Sequence, residues 1–424
     1  MMPCDSFKSL EKRTTLSLLN CNRDGKKMTD DKDLRNKADT VMMRTYNRFP
    51  VVLVKGKGCV VWDMEGRAYR DFVAGIAVCN LGHAHPVVSK ALQKQAASLW
   101  HVSNLYYTMP QTELAGWLTG HSFADRVFFC NSGAEANEAA IKLCRKYFHD
   151  RGETERYRVI SMTRSFHGRT MAALSATGQD KIKQGFDPVL GGFDFVPFDD
   201  TDALKRKIDS STAAVMLEPV QGEGGVRIPS PGYLQAVRNI CDETGTLLVL
   251  DEIQTGMGRT GKLFAYEHFG IVPDVMTLAK ALGNGLPIGA MLAGEELASA
   301  FSAGSHATTF GGTPIVTAAA LSVVKTLEAE NIIAHGAQMG FYFRKKLQAL
   351  QEKHAVIEDV RGYGLLIGME LKTKGDGVVK ACLEEGFLVN CIQESILRFA
   401  PPLIVQKTDI DALVDCLDDV LKER

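Results

Sequence analysis

The sequence predicts an α/β protein with a largely parallel sheet covered by helices on both faces, joined to a smaller α+β domain. Two observations carry this reading. From about His101, short apolar runs (RVFFC, YRVISM, AAVMLE, LLVLDE, DVMTLA) alternate with longer stretches of helical period such as ANEAAIKLCRKYF. Near-continuous apolar strands separated by helices are the pattern of strands buried on both faces. After Pro314 the text changes to helical stretches (IVTAAALSVVKTLEAE, FYFRKKLQALQEK), then strand candidates GLLIGMEL and GFLVNC, then a terminal helix from about Asp409.

Taken in order, residues 1–27 are polar and mildly basic through Lys8, Lys12, Arg13, Arg23, Lys26 and Lys27. Asp5, Glu11 and Asp24 interrupt them and no apolar core follows, which argues against a signal peptide and weakens a transit peptide. Three readings stay open there: a disordered arm, a true start at Met28, or a transit peptide weakened by those acids. From Val51, VVLVKGKGCVVWDMEGRAYRDF alternates apolar and polar residues around Gly56, Gly58 and Gly66, which predicts short antiparallel strands with turns. The expected division is an arm over 1–40, an N-terminal part of the small domain over 41–85, a large domain over 86–318, and a C-terminal small domain over 319–424.

Bulk composition narrows the function. The chain has 424 residues, 45% of them hydrophobic, enough to bury a large core. Lys and Arg number 49 against 50 Asp and Glu, so nothing in the charge balance calls for nucleic acid or an acidic membrane surface. No window approaches the length of uncharged apolar chain that spans a bilayer. Ten cysteines are scattered without a C-x-x-C pair, which fits reduced thiols in a cytoplasmic enzyme better than a zinc or disulfide framework. A small-molecule partner is expected.

One stretch imitates a nucleotide-binding loop. In LLVLDEIQTGMGRTGKLF, Gly256, Gly261 and Lys262 fall on the G-x-x-x-x-G-K frame. The residue after the lysine is Leu263, however, where a magnesium-binding hydroxyl is needed, and DEIQT separates the glycines from the strand. The useful residue is Asp251, at the carboxyl end of an apolar strand, where open α/β sheets bind ligands. By itself it is equally a helix cap.

A second strand end changes the balance. In PDVMTLAKALGNGLPIGA, Lys280 closes an apolar strand before a flexible turn. A lysine whose charge is discouraged by apolar surroundings is a nucleophile toward aldehydes, as a Schiff base requires. Together, a lysine and an acid that keeps a pyridine nitrogen protonated are the pair that pyridoxal 5'-phosphate needs. A phosphate cradle is available in FFCNSGAEANEAAIKL, where Ser132, Gly133 and Ala134 precede a helix whose dipole favours an anion.

The combination of NSGAEANEAAIK (131–142), SFHGRT (165–170), EPVQGEGGV (218–226), LDEIQTGMGRTGKLFA (250–265), LAKALGNGLPIGA (278–290) and TTFGGTP (308–314) resembles the class III, fold-type I pyridoxal-phosphate aminotransferases. The resemblance runs from about Tyr46 to the C-terminus, and within the class it is greatest to the acetylornithine aminotransferases, with the ornithine aminotransferases close behind. It implies a large domain around a seven-stranded, mostly parallel sheet, and a homodimer with shared active sites. It implies Lys280 as Schiff-base lysine and proton shuttle between substrate carbon and cofactor, Asp251 as partner of the pyridine nitrogen, and Gln254 on the 3-oxygen side of the ring. Ser132, Gly133 and Ala134 would hold the phosphate, Phe166 and Ile253 would cover the two ring faces, and Thr309 would reach the neighbouring subunit's phosphate.

For substrate, the expected contacts are Arg169 with a carboxylate, through a guanidinium fork, and the Glu223–Arg398 pair. Paired with Glu223, Arg398 would accept a donor with one carboxylate; with Glu223 withdrawn, it would meet the second carboxylate of 2-oxoglutarate. Tyr46, with Arg48, and GIAVCNL (75–81) are expected at the entrance. The implied reaction moves the terminal amine of N2-acetylornithine to 2-oxoglutarate, giving N-acetylglutamate 5-semialdehyde and glutamate, a step of arginine biosynthesis. Ornithine, succinyl-ornithine, succinyl-diaminopimelate and 4-aminobutyrate stay open as donors, and an aminomutase would share the same motifs. No metal is expected: His83 and His85 in GHAHP read as a turn, and His167 as support for the site.

Overall fold

A computed structural model describes residues 30–422; of the arm expected over residues 1–40, residues 1–29 lie outside the described residues. The described chain forms two compact units, residues 30–56 with 61–68, and residues 57–60 with 69–422. The first carries the helix Asp31–Val41, capped by the Asp30 carboxylate on Lys32 N–H, and most of strands β1 (Leu53–Lys57) and β2 (Val60–Asp63). These strands, with β3 (Ala68–Asp71), stand where the alternation around Gly56, Gly58 and Gly66 predicts them.

In the second unit the central feature is a seven-stranded sheet. Its strands are β4 (Arg126–Cys130), β5 (Arg158–Met162), β6 (Phe193–Val196), β7 (Thr212–Leu217), β8 (Leu247–Asp251), β9 (Val275–Leu278) and β10 (Gly289–Ala293). They lie in the order β4-β10-β9-β8-β7-β5-β6. Only β10 is antiparallel to its neighbours; the other pairs are parallel.

Period-two alternation explains the layers. In β7, Ala214 and Met216 face one way and Val215 and Leu217 the other, and β8 divides Val249 from Leu248 and Leu250 in the same manner. Against the first face lies the helix Gly133–Asp150, whose buried Ala136, Ala139, Ala140, Leu143 and Cys144 follow helical spacing. Small alanines on helix and strand let their backbones approach closely. Against the second face lies the helix Tyr233–Thr244 through Leu234, Val237, Ile240 and Cys241.

A second sheet follows from β11 (Ile357–Tyr363), β12 (Leu366–Leu371), β14 (Asn390–Ile392) and β15 (Ile396–Phe399), in the order β11-β12-β15-β14, while the short β13 (Phe387–Leu388) pairs in parallel with β3. The helices Ile332–Lys353 and Lys407–Lys422 contribute Phe343, Leu347, Ile410, Leu413 and Leu417 to the core beside it. Among the described residues no helix is long and apolar enough to cross a membrane.

Candidate active site

The parallel strands deliver their ends to one edge, and the chemistry-bearing residues stand just past those ends. Ser132 follows β4, Phe166 and His167 follow β5, Glu218 follows β7, Asp251 ends β8, and Lys280 follows β9. In the β8–β9 ladder Asp251 lies opposite Thr277, so the short run from Thr277 to Lys280 brings the lysine to the same edge. There they line a cavity of about 450 Å³.

Of the residues expected at the site, Ser132, Gly133, Ala134, Phe166, Arg169, Glu223, Asp251, Ile253, Gln254 and Lys280 all line this cavity. Arg398 stands behind it, on β15 and almost fully buried, with its guanidinium on Glu223 and, at 3.2 Å, on Gln254 Oε1. Two residues are elsewhere. Tyr46 belongs to the first unit, exposed, with the Arg48 guanidinium 5.6 Å from its ring centroid. Thr309 is exposed and is not a lining residue, in a segment whose neighbour Thr308 accepts a hydrogen bond from Asn131 at 3.1 Å.

Lys280 sits in the left-handed region with φ 44°, a conformation uncommon for a non-glycine residue and one that the surroundings must enforce. Burial pulls its ammonium below the ordinary lysine value, against Glu223, Asp251 and Glu218, which favour the charge. Burial thus favours the neutral amine more than solvent would.

Asp251 is a buried acceptor with three of its roughly four acceptor directions filled. Its Oδ2 accepts from Asn137 Nδ2 and bonds His167 Nδ1, both at 2.8 Å, and its Oδ1 accepts from Ile253 N–H at 3.1 Å. Beyond it, His167 Nε2 bonds Ser161 Oγ at 3.1 Å, and Asn137 Oδ1 accepts from Thr277 Oγ1 at 2.8 Å. His167 is the support the sequence suggests.

The cradle forms because Ser132 caps its helix. Its Oγ accepts from Glu135 N–H at 3.2 Å while the Glu135 carboxylate returns to Asn131 N–H at 2.9 Å. The opening turn leaves N–H groups without intrahelical partners, in the part of the helix that lines the cavity. Ile253 packs so closely over Gly133 that a Cβ there would lie 2.7 Å from Ile253 Cδ1. The donor set therefore fits pyridoxal phosphate: a deprotonation-prone lysine, a buried carboxylate, a helix N-terminus, and Phe166 and Ile253 as apolar walls.

Glu218 is a site residue that the sequence reading misses. Its Oε2 accepts from Phe166 N–H and its Oε1 from Gly222 N–H, each at 3.1 Å, so it ties Phe166 to the Glu223 loop. Burial pushes its carboxyl up to about 7, with His167 opposing and Asp251 adding to the rise. The rule that selects Asp251, an acid at the carboxyl end of an apolar strand, finds Glu218 in AAVMLE as well. Asn137 gives no such signal. The stretch 75–81 contributes Val78 to the cavity from a left-handed turn, Ala74 to Ala77, with φ of 48°, 64°, 69° and 59°.

A lysine-centred site at the carboxyl edge of a mostly parallel sheet defines the class. Residues 41–421 match the aminotransferase class-III family, and the chain belongs to it; these are pyridoxal-phosphate-dependent transferases. Among similar proteins, the acetylornithine aminotransferases of Caldanaerobacter subterraneus subsp. tengcongensis and Methanocaldococcus jannaschii are each 52% identical over 90% of this chain, covering 97% and 96% of their own lengths. Of solved structures, the ornithine aminotransferase of Toxoplasma gondii superposes with a TM-score of 0.92 at 33% identity, over 95% of this chain and 98% of that one. The acetylornithine aminotransferase of Elizabethkingia anophelis gives 0.84 at 30% identity, over 93% and 100%.

Proposed function

We propose that this aminotransferase moves the terminal amine of N2-acetylornithine to 2-oxoglutarate, giving N-acetylglutamate 5-semialdehyde and glutamate, a step of arginine biosynthesis. The observation that carries the reading is Glu223, which lines one cavity with Lys280 and pairs with Arg398 buried behind it. A buried guanidinium held by a partly exposed carboxylate can present either a neutral or a cationic surface to substrate. The names of relatives about half identical over nine-tenths of the chain support the donor.

Bound pyridoxal phosphate would supply an electron sink next to the reacting carbon. Lys280 would hold it, and its Nζ, disfavoured as ammonium, would take the proton from the donor carbon bearing the amine. Asp251, fixed by Asn137 and His167, would hold the ring nitrogen's proton, with Gln254 on the 3-oxygen side. Ser132, Gly133 and Ala134 would hold the phosphate, and Phe166 and Ile253 would exclude water from the ring faces. Arg169, whose guanidinium lies 5.5 Å from the Phe166 ring centroid, would take the donor's carboxylate.

A homodimer is part of this proposal. Trp100, Leu105, Tyr106, Tyr107, Met109 and Phe310 leave a large apolar surface exposed around the 308–313 segment, which Asn104 and Thr313 tie together. A second copy seated there would bring Thr309 to its site. A cytoplasmic location and reduced thiols complete the reading.

Ornithine is the second reading, supported by the names of the structural neighbours. The test is the visible absorbance of holoenzyme as N-acetylornithine, ornithine, 4-aminobutyrate and a succinylated donor are added singly, without oxo acid. Bleaching far faster with N-acetylornithine is the expected result. Faster bleaching with another donor replaces the substrate, and no bleaching with any overturns the site.

A further inference from the structure

We propose that Arg361 and Gln393 are positioning residues for substrate discrimination, fastening the backbone of residues 221–227 so that Glu223 joins or leaves Arg398 by side-chain rotation alone. This rests on reading Glu223 and Arg398 as the device that serves two unlike substrates.

Arg361 lies on β11 and Arg398 on β15, and both lie opposite Gly368 of the intervening β12. The two arginines thus flank one glycine in a single cross-strand row, on the same face of the sheet. Over that glycine sits the loop: a Cβ at Gly368 would lie 3.0 Å from Val226 Cβ. From one side, Arg361 Nη2 donates to Gly225 O at 2.7 Å, and its Nε to Gly225 O and Val226 O at 3.1 Å. Its Nη1 is held in turn by Asp359 and Glu370, each at 2.7 Å. From the other side, Gln393 Nε2 donates to Glu223 O at 2.9 Å.

The remaining backbone is equally fixed. Gly222 N–H donates to Glu218, and Gln221 and Arg227 exchange both of their backbone bonds. A Cβ at Gly222 would lie 2.1 Å from Gln254 Oε1, and one at Gly224 2.7 Å from Arg164 O. Against this, among the described residues the Glu223 carboxylate is held by Arg398 and, at 3.5 Å, by Gln254 Nε2. The backbone is pinned at successive residues and the side chain at its tip, which confines motion to the side chain.

If the fastening is loosened, Glu223 no longer returns to one place, and Arg398 spends more time as a bare cation in the cavity. A donor with one carboxylate then loses ground to glutamate, which brings a second. The experiment measures the first half-reaction of holoenzyme with N-acetylornithine and with glutamate, and takes the ratio of their kcat/KM values. Arg361→Met should shift that ratio roughly tenfold toward glutamate, about the weight of one charge-assisted contact. Gln393→Asn, which keeps a residue tolerant of the left-handed backbone at 393 (φ 49°) while shortening its reach, should shift it less and in the same direction.

A purely structural role would lower both substrates by one factor, and that outcome in both variants, with Glu223→Ala shifting the ratio, overturns the proposal while leaving the two-substrate reading intact. An unchanged ratio in Glu223→Ala overturns that reading and the proposal with it. Should Arg361→Met not fold, Gln393→Asn decides, because its side chain is exposed and bonds the loop.

Discussion

Replacing Asp251 by asparagine keeps the shape of the side chain and removes its charge, and the donors around it determine the cost. The wild-type Oδ2 meets two nitrogen donors, Asn137 Nδ2 and His167 Nδ1, and Oδ1 meets the Ile253 N–H. An asparagine must turn its own NH₂ group toward one side or the other. Facing Oδ2's partners it opposes Asn137 and forces the histidine to its other tautomer; facing the Ile253 side it strands a backbone donor. Losing one hydrogen bond to a buried charged acceptor costs about 1.5–3 kcal/mol. The expected stability loss is of that size, small enough for the variant to fold and to keep its lysine-bound cofactor. Activity should fall much further, on the order of 10²-fold or more, because a preorganised charge next to the reacting group is lost. The assay pairs turnover of N-acetylornithine and 2-oxoglutarate with the visible spectrum of the bound cofactor. Wild-type turnover in a variant with full cofactor occupancy would refute the role assigned to Asp251.

Arg169→Ala should raise KM for the donor roughly tenfold or more with a smaller effect on kcat, the loss of one charge-assisted carboxylate contact; an unchanged KM moves that contact to another residue. Stability should respond to two buried carboxyls, Glu218 and Glu252, that burial raises from 4.5 to about 7. Between those values the folded chain holds protons that the unfolded chain has released, so their contribution falls as pH rises from about 4.5 to 7 and is level above, by on the order of 3 kcal/mol per group. Thermal melts across that window should show a shallower fall in Glu252→Gln than in wild type, and an identical slope would contradict the raised value.

The strand rule explains how much of the site is legible in the sequence. RVFFC, AAVMLE, LLVLDE and DVMTLA are apolar because their strands are covered on both faces, and an ionisable group closing such a run has few places to go except the sheet edge. Asp251 and Lys280 are legible on that ground. Glu218 obeys the same rule, but it shares its motif with Glu223, whose pairing with Arg398 draws the reading there. Asn137 is different: it is one buried polar residue on a helix face of alanines, and only the fold puts it against Asp251 and Thr277. Residues 74–77 also escape, since three of the four left-handed residues are not glycine and nothing local demands that backbone.

The look-alike phosphate loop at 256–262 is likewise settled by burial. Arg259 is fully enclosed, donating to Leu365 O at 3.0 Å, Pro401 O at 2.6 Å and the Asn80 side chain. Glu252, one residue after Asp251, accepts from Ala265 and Tyr266 N–H at 2.6 and 2.8 Å. The loop's glycines shape a knot of internal contacts, and Gly258 and Gly261 take positive φ to allow it.

The single antiparallel strand has a further meaning. β4 and β9 carry the phosphate cradle and the lysine, yet they are not neighbours; β10, the last of the seven in the chain, lies between them and pairs with both. Until that strand inserts, the two halves of the cofactor site belong to separate sheet fragments. In a chain stalled before residue 289 the segment after β4 would meet the lysine's edge only through the helix Gly133–Asp150, whose Asn137 reaches Asp251 and Thr277, and β10 adds the backbone ladder that joins β4 to β9.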